Sequence, residues 1–138
     1  GVSNFHIHHL EDVINETGVV PMVNQVELHP WLSQKPLLKY CRANKIQLEA
    51  YSPLMRGNFK EVPQLAEIGE KYGKTAAQVV LRWHLQNGIV IIPKSTKEHR
   101  IIENANIFDF ELTAEDMDKI DALNRDHRFL PDPDNINF

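Results

Sequence analysis

The chain is short of everything that marks a disulfide-stapled, membrane-spanning or nucleic-acid-binding protein. Cys41 is its only cysteine, so no internal disulfide can form, and a reducing, cytoplasmic setting is expected. No apolar run approaches the ~20 residues needed to cross a bilayer, so no membrane is expected as a partner. The residues from Gly1 onward do not read as a secretory signal. Positive charge is scarce: 15 Lys and Arg stand against 19 Asp and Glu, a net charge of −4. No nucleic acid is therefore expected as a partner, and any anion site must come from local placement of cations. Signature loops are missing as well. Neither G-x-G-x-x-G nor G-x-x-x-x-G-K-[ST] occurs, which excludes phosphate cradles of those types. G-x-S-x-G and H-E-x-x-H are absent too, removing a nucleophile elbow and a zinc-protease helix.

What is present is 138 residues in the proportions of an ordinary globular domain, enough for one real core. The pattern alternates. Ile7, Leu10, Val13 and Ile14 recur at helical spacing until Gly18. Met22 to Leu28 reads as a strand, Ser33 and Pro36 open a helix carrying Leu37, Leu38 and Cys41, and Ile46 to Tyr51 reads as a second strand. A loop is expected through Gly57 and Asn58. Two helices follow, one striped by Leu65, Ile68 and Tyr72. The other opens on Thr75 and Gln78 at capping-box spacing, with Ala76, Val79, Val80 and Trp83 on its buried face. Val90 to Pro93 reads as a continuously apolar strand covered on both faces. A helix with Ile101, Ile102 and Ala105 inward comes next, then a last helix capped by Thr113, then an irregular tail from Arg128 to Phe138. Strand and helix in alternation mean βα units and a parallel sheet. Gly1 to Phe5 reads as the end of a strand, so further chain is expected ahead of it.

Two of the strands carry polar residues where parallel strands are normally apolar. The first has Asn24, Gln25 and Glu27; the second has Gln47, Glu49, Tyr51 and Ser52. An unpartnered buried polar group costs roughly 1–3 kcal/mol, so these must face water, a partner or a ligand. Ser3, Asn4, Gln25, Tyr51, Ser52, Lys94 and Ser95 all fall at or near C-terminal strand ends, where barrel sites are built. Singly, Ser52 or Ser95 could serve only to cap a helix or close a turn; the set together points to a site. Lys94, Ser95 and Thr96 are read as a helix start, with Arg100 in its first turns. Free N–H groups and the positive dipole end already favour anions there. Lys94 and Arg100 add charge-assisted donors suited to a phosphate monoester.

Seven histidines do not make a metal site by spacing. His6, His8 and His9 cluster without a carboxylate or cysteine at ligand spacing, so no metal is expected. His29, beside Pro30, reads as a satisfied structural histidine; His84, His99 and His127 read as surface or half-buried. Cys41 reads as packing.

Four segments resemble the aldo-keto reductase family, in its bacterial-type aldehyde and ketone reductases. They are Gly1-Val2-Ser3-Asn4-Phe5, Asn24-Gln25-Val26-Glu27-Leu28-His29-Pro30, Ala50-Tyr51-Ser52-Pro53-Leu54 and Ile92-Pro93-Lys94-Ser95. They stand in family order at family-like spacing and together span the chain. The resemblance implies the C-terminal half of a (β/α)8 TIM barrel, an α/β fold of parallel strands with outer helices. Residues 1–138 would form a single partial domain. It also implies NADPH (NADP+) as cofactor without a dinucleotide-binding motif. By that likeness Ser3, Asn4 and Gln25 would hydrogen-bond the nicotinamide carboxamide, and Tyr51 would stack on its ring. Ser52 and Leu54 would touch the pyrophosphate, and Lys94, Ser95 and Arg100 would grip the 2′-phosphate. Glu103 and Asn104 would reach the adenine, and Pro53, Pro93 and Thr96 complete the cofactor-binding set. The segment from Ser52 to Asn58 is short, so no large clamp over the pyrophosphate is expected.

The family reduces a small-molecule carbonyl substrate by hydride transfer, using a Tyr, Lys, Asp and His. None of Tyr40, Tyr51 or Tyr72 lies in the matching context, so no catalytic residue is expected in this chain. Its partner is then the missing N-terminal half of the barrel, the parent protein being a monomer. The isolated chain is expected to be unstable or to associate, and to lack reductase activity. Two other readings stay open at this point. One is a non-catalytic NADPH-binding sensor or channel-associated subunit of the same fold. The other is a different TIM-barrel enzyme with coincidental segments.

Overall fold

Four short strands line up in chain order in one all-parallel sheet: β1 (Val2–Ser3), β2 (Val23–Glu27), β3 (Gln47–Tyr51) and β4 (Val90–Ile91). The computed structural model describes residues 1–136, so the last two residues of the expected tail, Asn137 and Phe138, lie outside the described residues. Helix α1 (Ile7–Thr17) connects β1 to β2, and α2 (Lys35–Ala43) connects β2 to β3. The crossover from β3 to β4 holds two helices, α3 (Pro63–Tyr72) and α4 (Ala76–Gln86). After β4 come α5 (Glu98–Ala105) and α6 (Ala114–Asp121). Ser3 stands opposite Gln25, Gln25 opposite Glu49, and Glu49 opposite Val90.

Because strand side chains alternate between faces, this register sorts the strand residues. Val26, Leu48 and Ala50 are buried on one face and belong to a core that includes Leu10, Leu38, Cys41, Leu65, Val80 and Trp83 from the helices. The other face carries Ser3, Gln25, Glu27, Glu49 and Tyr51 in matching positions. The polar strand residues are therefore the lining of one face, not defects in the core. Asn24 is the exception: it is buried on the helix side, where its amide donates to Phe5 O at 2.9 Å. Its Oδ1 accepts from Phe5 N at 3.4 Å. It fixes the turn that leaves β1.

Local signals were honoured by the fold. Gly18 takes φ 69° and closes α1 in the left-handed conformation, which costs glycine little. At α4, Gln78 N donates to Thr75 Oγ1 and Thr75 N donates to Gln78 Oε1, at 3.2 and 3.0 Å. Thr113 caps α6 through Asp116 N at 3.2 Å. Between α3 and α4 the chain passes so close to Gly69 that an added Cβ would sit 2.3 Å from Lys74 O. Gly69→Ala is thus expected to force the helix pair apart and cost about 1–3 kcal/mol. A urea titration followed by tryptophan fluorescence checks this; an unchanged midpoint contradicts it.

Several expectations are corrected. Ile101 and Ile102 are exposed and α5 buries no residue. Their helix packs on α4, and beyond β4, the edge of the sheet, no further element among the described residues covers them. For the same reason Val90 and Ile92 remain 43% exposed instead of being covered on both faces, and the strand shrinks to Val90–Ile91. The segment after β3 is not a plain loop but a 3-10 stretch, Met55–Glu61, with left-handed residues Arg56 and Gly57 inside it. Lys94, Ser95 and Thr96 precede their helix rather than start it, since α5 begins at Glu98 with Lys97 as its cap residue. His84 is fully buried, its ring nitrogens 2.8 Å from Val80 O and 3.0 Å from Leu28 O.

Candidate functional site

The C-terminal ends of β3 and β4 enclose a cavity of about 760 Å3. Ser52, Pro53 and Leu54 line it from the end of β3, and Ile92 to Lys97 from the end of β4. Arg100, Glu103 and Asn104 line it from α5, Thr75 and Ala77 from the start of α4. Of the fourteen residues expected at a cofactor site, Ser52, Pro53, Leu54, Pro93, Lys94, Ser95, Thr96, Arg100, Glu103 and Asn104 are brought together here.

Ser3, Asn4, Gln25 and Tyr51 are not in that cavity. They form a neighbouring polar row on the inner face of the sheet. Tyr51 OH donates to Asn4 Oδ1 at 2.8 Å, and Gln25 Nε2 donates to Glu49 Oε1 at 2.5 Å. Asn4, at φ 58°, bends the chain out of β1 while its N–H still bonds Gln25 O at 2.8 Å. Burial pushes the Tyr51 phenol above its ordinary pKa, with Glu27 adding to the effect, so it stays neutral. The two groups of residues meet at the Tyr51–Ser52 peptide, where the row ends and the cavity begins.

Sequence reasoning missed part of the cavity wall. Arg56, Gly57, Phe59 and Lys60 also line it, carried there by the 3-10 stretch. No local pattern marked them, since Arg56 and Gly57 are left-handed and break the winding of the segment. Lys97 joins them, so five cations face Glu103 as the only carboxylate of the lining. Among the described residues, the Lys and Arg ion pairs involve Lys35, Lys71, Lys74, Lys119 and Arg128, none of which lines the cavity. Glu103 is itself engaged, accepting from Thr75 Oγ1 at 2.6 Å. A pocket with surplus, uncompensated positive charge beside the start of α5 suits a guest carrying several anionic groups. Four residues within this short wall, Ser52, Met55, Arg56 and Gly57, hold positive φ. Such clustered backbone strain is typical of binding loops.

Glu27 sits in the polar row but serves the tail. Its buried carboxylate accepts from Phe129 N at 2.7 Å, Leu130 N at 3.2 Å and the His29 ring at 2.9 Å. The tail backbone is thereby pinned across the strand ends. His29 is only half satisfied, contrary to expectation: its Nδ1 is buried with no partner among the described residues, and burial holds its pKa below the ordinary value. Cys41 packs in the core as expected, burial raising its thiol pKa to about 11, so it holds no thiolate at neutral pH.

A family model described as the aldo/keto reductase family matches residues 1–125. The chain belongs to that family. Within it, the chain is 61% identical over 138 residues to a glyoxal reductase of Bacillus subtilis, covering all of this chain and 50% of that protein. It is 59% identical to an uncharacterized oxidoreductase, YtbE, of the same organism, covering all of this chain and 49% of that protein. A solved structure, a variant of Gox0644 in complex with NADPH, superposes with a TM-score of 0.96 at 45% identity, covering all of this chain and 51% of that one. This aldo/keto reductase chain therefore spans about half the length of the relatives it matches. Its sheet of βα units is about half of a (β/α)8 barrel. No described helix is long and apolar enough to cross a membrane.

Proposed function

We propose that this chain is the cofactor-binding half of an NADPH-dependent reductase of small aldehydes and ketones. The observation that carries the reading is the cavity with five cations joined to the Asn4–Tyr51 row. A dinucleotide with a 2′-phosphate needs such a pair: a cationic pocket for its phosphates and a neutral polar shelf for its nicotinamide. The cavity volume also lies in the range of ligand pockets, about 300–1,000 Å3. NADPH would supply the hydride, giving alcohol and NADP+ from the carbonyl and one proton.

In this reading Lys94, Ser95 and Arg100 hold the 2′-phosphate, with Thr96 and Pro93 shaping the turn that presents them. Ser52, Pro53 and Leu54 run beside the pyrophosphate. Glu103 and Asn104 face the adenine end. Tyr51 offers its ring face to the nicotinamide, while Asn4, Ser3 and Gln25 orient the carboxamide. The groups that protonate the carbonyl come from the preceding half of the barrel. The likeness to a glyoxal reductase favours small 2-oxoaldehydes as substrates.

A fusion tests this. The half of Bacillus subtilis glyoxal reductase that the chain does not match is placed ahead of residue 1 to rebuild a whole barrel. The fusion is expected to oxidise NADPH with methylglyoxal, and the 138-residue chain alone to be inactive. Turnover by the chain alone would overturn the division of labour. A folded fusion that binds NADPH without turnover would favour a non-catalytic nucleotide sensor instead.

A further inference from the structure

The sequence sets no carboxylate at ligand spacing beside His6, His8 and His9; the fold brings two from the far end of the chain. Asp134, on the short 3-10 turn Pro133–Asn135, and Asp132, which caps that turn, lie against the first turn of α1. His6 Nε2 is 3.0 Å from Asp132 Oδ1 and 3.8 Å from Asp134 Oδ2. His8 Nε2 is 3.0 Å from Asp134 Oδ1. The ligand atoms of His6, Asp132 and Asp134 all lie within 4.8 Å of one another. Around a tetrahedral Zn2+, with bonds of about 2.0–2.2 Å, neighbouring ligand atoms are separated by about 3.3–3.6 Å. The observed spacings bracket that edge length.

We propose that His6, Asp132 and Asp134 bind a divalent transition-metal ion of the Zn2+ class, with water completing the coordination, which fastens the C-terminal segment to the start of α1. Two carboxylates balance the charge of the ion, and the neutral imidazole of His6 gives a mixed nitrogen and oxygen set. Such a set suits zinc-like ions better than Mg2+ or Ca2+, which prefer oxygen alone. On binding, the ring of His6 carries its hydrogen on Nδ1 and turns the Nε2 lone pair to the ion. His9 has a different task. Its Nδ1 accepts from His6 N at 3.0 Å, which keeps its hydrogen on Nε2, 3.2 Å from Asp134 Oδ1. It is a donor that orients the carboxylate, as partners outside a metal's own ligands commonly do. Arg128 Nε lies 3.6 Å from Asp132 Oδ2, while Oδ1 accepts from Asp134 N at 3.0 Å and keeps a lone pair on the His6 side for the ion. Asp134 is about half exposed, so the ion exchanges with solvent. The tail so pinned crosses the residues directly after Asn4, coupling metal occupancy to order at the end of the polar row. This inference does not depend on the proposed reductase function.

The test is Zn2+ titration of the untagged 138-residue chain by calorimetry, repeated on the fused barrel so that poor folding of the isolated chain does not decide the result. One equivalent of Zn2+ is expected to bind. Asp134→Asn and His6→Gln are each expected to weaken binding about tenfold or more, and Asp132→Asn/Asp134→Asn to weaken it further. His99→Gln, on the distant α5, should leave it unchanged. Absence of saturable binding in both proteins, or equal affinity in the double variant, overturns the proposal. Loss of equal size in His99→Gln overturns it as well.

Discussion

Replacing Lys94 and Arg100 together by Ala in the fused barrel is expected to weaken NADPH binding roughly 100-fold while NADH binding changes by less than about threefold. Hydrogen bonds to charged groups contribute about 1.5–3 kcal/mol each. Losing two of them therefore costs at least about 3 kcal/mol, or about two decades in Kd. The selectivity follows from position. Both residues line the cavity wall formed by the β4 end and α5, where the proposed reading puts the 2′-phosphate, and NADH has no 2′-phosphate for them to hold. Among the described residues neither has an ion-pair partner that would be stranded by the change, so fold stability should be nearly constant. Fluorescence titration of both cofactors checks the outcome. Equal losses for NADH and NADPH would assign the two cations to the pyrophosphate instead. No loss for either would sink the cofactor reading of the cavity.

The same substitutions separate what could be read in the sequence from what could not. Lys94 and Arg100 were legible because a basic pair beside a helix start is a local pattern. Gly18, Thr75 with Gln78, and Thr113 were legible for the same reason: each cap is closed by residues a few positions away. The elements came out in the right order because periodicity is also local. The four motif segments fixed the family and the sheet, and the structure assembles them at one end of the strands. The division of that end into a cationic cavity and a separate polar row was not legible, since it depends on which strand faces turn inward.

Where partners are distant in sequence, the reading failed in instructive ways. Glu27 and Asn24 looked alike as polar residues on one strand. One turns to the inner face and holds tail backbone 102 residues away, and the other turns to the helices and holds Phe5. His6 and His8 lacked a carboxylate only because theirs is 126 residues distant. Ile101 and Ile102 had the right spacing for a buried stripe, yet spacing does not say whether a neighbour exists to bury it. Arg56 and Lys60 were hidden because the segment was judged by its length, and length says nothing of the 3-10 winding that aims them.

His84 belongs to the same class, and its burial has an expected consequence at low pH. Burial lowers its pKa to about 4, against smaller opposing effects of the Leu28 and Val80 carbonyls. The unfolded chain takes up a proton on this ring as pH falls through about 6.5, while the folded chain resists until about pH 4. The stabilising contribution is therefore complete above about pH 6.5 and lost progressively on acidification, roughly 3 kcal/mol in all by pH 4. His29, also held low by burial, acts with the same sign. The carboxylates Asp109, Asp116 and Asp132 sit below their ordinary range, so their contributions fade only at lower pH and leave this window to the histidines. Urea midpoints measured between pH 7 and pH 4.5 should fall steeply, and the slope should flatten in His84→Gln. That variant starts less stable at pH 7, because Leu28 O and Val80 O lose the ring that faces them in the core. A slope unchanged by His84→Gln would mean that the ring is already charged when buried, or that His29 alone drives acid unfolding. His29→Gln measured alongside separates those two outcomes.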